Sequence, residues 1–75
     1  MKEHESVVLM RDLPECALRE GDVGTIIHRF ANERAYEVEF VSASGKTLAT
    51  VTLEPSELRT FDSGEILHVR KLSSV

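Results

Sequence analysis

"YEVEFVSASGKTLATVTL", residues 36–53, alternates apolar and polar side chains on both sides of a Ser44-Gly45 pair. In the first half Tyr36, Val38 and Phe40 fall on one face, and Glu37 and Glu39 on the other. In the second half Ala49, Val51 and Leu53 share a face, opposed by Leu48, Thr50 and Thr52. A period of two belongs to extended chain, where successive side chains point to opposite sides. The stretch therefore predicts two strands, residues 35–41 and 47–53, joined as a hairpin through residues 42–46.

Working outward, the same short, β-branched pattern recurs. Residues 6–10 predict a first strand, residues 23–30 a second and residues 66–71 a fifth. The tight polar stretch 31–34 makes strands two and three a hairpin, and residues 12–22 form a long first loop. Pro55 cannot donate to a ladder, so residues 54–58 predict a short 3-10 turn rather than strand interior. Ser63-Gly64 reads as a turn ahead of the last strand. No run of ten residues holds a helical apolar period. The expected fold is all-β: a small five-stranded SH3-like barrel with a long first loop and a short 3-10 turn before the last strand. The expected core is Val8, Leu18, Val23, Ile26, Tyr36, Val38, Phe40, Ala49, Val51, Leu53, Leu58 and Val69.

Gly21, Gly24 and Gly45 are assigned structural roles. Gly21 ends the long loop and Gly45 turns a hairpin, where a left-handed backbone or close approach is needed. Gly24, one residue into strand two, is expected at a bulge that lets a short barrel close. A phosphate cradle is disfavoured, since no Gly-x-Gly-x-x-Gly, no following Lys-Ser/Thr and no following helix is present.

Seventy-five residues predict a single domain spanning 1–75, its core about 6–71 and its tail, residues 72–75, frayed. Thirteen acidic against nine basic residues give a net charge of −4, which opposes phosphate neutralisation and thus nucleic-acid binding. One cysteine, Cys16, excludes an internal disulfide and a cysteine metal cluster. No apolar run has the roughly 18 residues of a membrane span, and the first residues lack a signal-peptide layout. A cytoplasmic location is expected.

Chemistry is sparse. His4, His28 and His68 show no metal-ligand spacing; only if the strands of His28 and His68 paired would two imidazoles meet. Cys16 follows proline in a loop with nothing adjacent to activate it. Glu37 and Glu39 lie about 6.5–7 Å apart along one strand face, and Arg29 and Lys46 are expected to pair with them across strands. Without Trp and with Tyr36 alone, the chain cannot build the aromatic groove that binds polyproline. No catalytic residue, cofactor or metal is assigned. Arg29, Glu33, Arg34, Glu37 and Glu39 form the candidate partner surface.

The motifs "VVLMRDLPECALREGDVGTIIHRF" and "YEVEFVSASGKTLATVTLEPSELR", in this order and spacing, resemble a bacterial family of domains of unknown function, the one numbered 4926. The likeness covers residues 6–59, with Ser44 where an Asp is usual. The resemblance implies an SH3-like barrel, more distantly similar in layout to the barrel domains of the nitrile hydratase β subunit and of a photosystem I accessory protein. It brings no established activity; the setting of family members implies an antitoxin or immunity role.

The leading expectation is a non-catalytic module that binds one protein partner, as an antitoxin or immunity protein or as an accessory subunit. The alternative is a small-ligand or metal-binding accessory of an enzyme complex, built on His28, His68 and the strand-three glutamates. A nucleic-acid-binding barrel comes third and would need Arg11, Arg29, Arg34 and Arg70 to converge. Homodimerisation through the edge of the first strand is a further expectation.

Overall fold

A computed structural model of the chain describes residues 1–72. Five antiparallel strands form one sheet: β1 (Ser6–Leu9), β2 (Val23–Arg29), β3 (Tyr36–Val41), β4 (Thr47–Leu53) and β5 (Leu58–Thr60). Their order is β4-β3-β2-β1-β5. Three-residue 3-10 turns occupy Pro14–Cys16 and Pro55–Glu57, and Ala31–Glu33 is a tight turn in which Asn32 and Glu33 are left-handed. The hairpin read from residues 36–53 forms with its alternation intact: Tyr36 faces Leu53, Val38 faces Val51 and Phe40 faces Ala49. Tyr36, Val38 and Phe40 are buried, while Glu37 and Glu39 stay partly exposed on the other face.

The long first loop feeds the core. Pro14 opens a 3-10 turn at a position whose missing N–H has no intrahelical partner to lose. Ala17 then turns left-handed at φ 58°, and Leu13 and Leu18 exchange backbone hydrogen bonds of 2.9 and 3.1 Å. This closure turns both leucines inward, where they join Val7, Leu9, Ile26, Tyr36, Val38, Phe40, Leu53 and Leu58 in one apolar cluster.

Four expectations are corrected. Residues 66–71 are not a strand. β1 has one side left after β2, and Leu58–Thr60, emerging directly from the Pro55 turn, takes it. The later segment follows another turn and joins no ladder, so Val69 is 90% exposed instead of buried. Val23 is likewise 41% exposed. β1 is not an edge, because it lies between β2 and β5, and its Val7 and Leu9, absent from the expected core, are fully buried. Gly24 is not at a bulge either. Adjacent registers pair Ile26 with Val38 and His28 with Glu37, which leaves Ile27 as the extra residue.

Gly24 is required for a different reason. A Cβ there would sit 2.6 Å from Val38 Cγ1, 2.9 Å from Phe40 Cε1 and 3.0 Å from the Glu39 carbonyl oxygen. The β2 backbone packs directly against the inner side chains of β3, and only hydrogen fits between. Gly21 and Gly45 fit the turn reading, with φ of +96° and +87° and open space around each. The frayed-tail expectation falls largely on residues 73–75, which lie outside the described residues.

Candidate functional site

Beyond β5 the chain turns and comes back across the sheet as an irregular arm, residues 61–72. The turn is built from its own polar groups. Asp62 accepts the Gly64 N–H at 2.9 Å, and Glu65 accepts the Asp62 N–H at 2.8 Å. Arg59 on β5 grips both oxygens of Glu65 with its two terminal nitrogens. That fork and the Asp62 N–H hold the Glu65 carboxyl down to about 2, far below the ordinary carboxylate range.

Farther along, Arg70 latches the arm to the body. Its Nε donates to Asp22 Oδ1 at 2.8 Å, and its Nη2 to Oδ2 at 2.6 Å. The same Nη2 donates to the Ala17 carbonyl at 3.1 Å, a group presented by the left-handed turn of the long loop. Asp22 also accepts the Arg19 N–H at 2.8 Å. Burial pushes the Asp22 carboxyl up, but the Arg70 and Arg19 hydrogen bonds outweigh it and leave it below its usual value.

Between these two anchors the arm shows its apolar side chains to solvent: Ile66 is 92% exposed, Leu67 68% and Val69 90%. Under the arm lies Val8. It is buried, yet stands apart from the main cluster on the opposite sheet face, in a cleft of about 90 Å³ that Ile66 and Leu67 also line. A larger cleft of about 410 Å³ opens between the arm and the β3–β4 hairpin. Leu18, Phe40, Leu48 and Val69 supply its apolar wall, and Asp22 and Arg70 its polar edge.

The candidate partner surface read from the sequence lies elsewhere. None of Arg29, Glu33, Arg34, Glu37 and Glu39 lines the large cleft. Arg29 and Glu33 form an ion pair at 3.4 Å around the Ala31–Glu33 turn, and Arg34 is exposed beside it. Glu37 lies opposite His28 and Thr52, and Glu39 opposite Thr25 and Thr50, with Glu39 accepting the Thr47 hydroxyl at 2.7 Å. The expected cross-strand pairing of these glutamates with Arg29 and Lys46 does not form, because the register sets His28 and three threonines against them. Arg11, Arg29 and Arg70 each carry a carboxylate partner, Glu57, Glu33 and Asp22, so three of the four arginines offered for phosphate are already engaged and only Arg34 stands without an ion pair among the described residues.

His28 and His68 do not share a ladder. His28 packs edge-on against Phe30 with centroids 4.6 Å apart and lies 3.6 Å from Glu3, whereas His68 is on the arm. Among the described residues no three His, Cys, Asp or Glu side chains converge as a metal site. Cys16 is partly buried against the core. No helix among the described residues is long and apolar enough to cross a membrane. The arm was not legible as an unpaired segment from sequence, since the β-branched run of residues 66–71 carries the same signal as a paired strand.

No curated protein and no solved structure matches the chain. A family profile does match, over residues 3–60, from just before β1 to the last residue of β5, with the arm beyond it. Five strands and the glycines that shape them thus lie within the matched region, and the chain belongs to the family described as Domain of unknown function (DUF4926).

Proposed function

We propose that this domain is a non-catalytic protein-interaction module whose principal contact element is the outer part of the arm, residues 66–72. One observation carries the reading: Ile66, Leu67 and Val69 are held out in solvent by anchors at Glu65 and Arg70. A small domain gains by burying three neighbouring aliphatic side chains, each worth about 1.5–3 kcal/mol when fully covered. An anchored segment that leaves them exposed is preorganised for a partner, as in recognition by an extended strand. The partner that suits it is a protein with an apolar groove or an open sheet edge. An antitoxin or immunity protein and an accessory subunit both fall within this reading.

The strand order, the long β1–β2 connection and the 3-10 turn ahead of β5 support an SH3-like barrel as the scaffold. The paired arginines weigh against nucleic acid, and the scattered histidines against a metal accessory.

The test is affinity capture from native lysate with the wild-type chain beside an Ile66→Asp/Val69→Asp variant, bound proteins being identified by mass spectrometry. One near-stoichiometric partner held by the wild type and lost by the variant is the expected result. Equal capture by both, or capture of no protein, overturns the reading.

A further inference from the structure

β4 is an outer strand of the sheet, pairing only with β3. Its sequence, Thr47-Leu48-Ala49-Thr50-Val51-Thr52-Leu53, has no charge and no proline. Folded proteins usually protect such an edge with lysine, proline or a cover, because a row of free N–H and C=O groups is a template for another strand. Here nothing among the described residues hydrogen-bonds its outer side outside the β3 ladder. Ala49 and Val51 face the core and are still only half-buried, so the sheet is open along this line.

We infer that this edge is the interface of a two-fold homodimer, in which β4 pairs antiparallel with β4 of a second copy about Thr50. Antiparallel pairing of identical strands is self-complementary, as a two-fold contact must be. In this register Thr50 meets Thr50, a favourable cross-strand pair on the outer face. Ala49 meets Val51 of the second copy on the inner face and covers it. The flanking charges select this register over its neighbours. Lys46, one residue before β4, comes opposite Glu54 of the second copy, one residue after, and the contact is made twice. Neither Lys46 nor Glu54 has an ion-pair partner among the described residues of its own chain. Sliding the register by two residues in one direction would set Lys46 against Ser56 and lose both pairs. The ladder to β3 pairs Phe40 with Ala49 and Val41 with Thr47, leaving Leu48 as an extra residue. The lysine's long side chain spans that bulge, and the remaining five residues of β4 are regular. This contact does not use the arm, shares only Leu48 with the cleft beside it, and stands independently of the partner reading.

Sedimentation equilibrium of the full chain over a concentration series at low salt tests the inference. The expected result is a reversible monomer–dimer equilibrium. Thr50→Lys sets two ammonium groups face to face at the two-fold axis and abolishes the dimer. Within the monomer the new lysine lies opposite Glu39, so the fold is retained, which circular dichroism checks. Lys46→Glu weakens the dimer by roughly tenfold, and adding Glu54→Lys to it restores the affinity by exchanging the charges. A chain monomeric up to about millimolar, a dimer indifferent to Thr50→Lys, or a double variant no tighter than Lys46→Glu overturns it.

Discussion

Replacing Gly24 by alanine separates two opposed effects that sequence alone cannot rank. Gly24 lies in β2 and has no left-handed backbone to protect. On chain entropy the substitution should therefore stabilise the domain, by about 0.4–1 kcal/mol. The packing says otherwise. The new methyl would lie 2.6 Å from Val38 Cγ1, 2.9 Å from Phe40 Cε1 and 3.0 Å from the Glu39 carbonyl oxygen. Val38 is fully buried, Phe40 nearly so, and the carbonyl belongs to the strand, so no neighbour is free to swing aside. Overpacking of this kind costs about 1–3 kcal/mol, and three simultaneous contacts place it at the upper end. Net of the entropy gain, we expect a loss of about 2 kcal/mol, against a total of roughly 4–11 kcal/mol for 75 residues. That corresponds to a melting point lower by about 8–16 °C. Urea denaturation followed by circular dichroism measures it, with Gly21→Ala as reference, since that site has open space and only its φ to strain. Placing Gly24→Ala in a Val38→Ala background should reduce its cost, because the nearest clashing atom is gone. A Gly24→Ala chain as stable as wild type, or no milder in the Val38→Ala background, would refute the reasoning.

Asp22→Asn should loosen the arm while leaving the sheet intact: trypsin cleavage after Arg70 and Lys71 is expected to quicken, with global stability changed by less than about 1 kcal/mol. Because the folded Glu65 carboxyl lies at about 2 against an ordinary 4.5, its contribution is full above the unfolded value and fades as pH falls from there toward 2. Arg59→Ala should return the Glu65 titration, followed by carboxyl NMR, toward 4.5. Phe40→Ala empties the centre of the cluster and should cost about 3–5 kcal/mol, a large share of the total, read as a lower urea midpoint by circular dichroism.

The β3–β4 hairpin was legible because its apolar residues keep a strict period of two across a turn with glycine at the left-handed position. The 3-10 turn was legible from Pro55. The identity of the last strand was not, for a physical reason. Leu58–Thr60 is three residues long, too short to show a period, and it is a strand only because β1 offers it a ladder. Residues 66–71 have better strand propensity and no ladder, so tertiary pairing overrode local preference. Val7 and Leu9 were missed with it, since their burial depends on knowing that β1 is flanked on both sides. Gly24 was recognised as special from its place in a strand, but its close approach to Val38 and Phe40 requires the β2–β3 register. The Arg70–Asp22 latch joins residues 48 positions apart, beyond the reach of any local pattern. The candidate surface around Arg29 and Glu37 was a reading of exposed charge, and exposed charge is common on any small sheet.

The placement of β1 between β2 and β5 also sets the order in which the molecule can be made. β1 to β4 pair with their sequence neighbours and can zip together as they leave the ribosome. β5 instead joins the first strand, and Leu9 and Leu58 are 49 positions apart where Val41 and Thr47 are six apart. That roughly eightfold longer loop adds about 2 kcal/mol of closure entropy. Val7 and Leu9 therefore wait, half-covered, until β5 has been synthesised, and the newborn protein is most exposed to misassembly in the interval before Leu58 arrives.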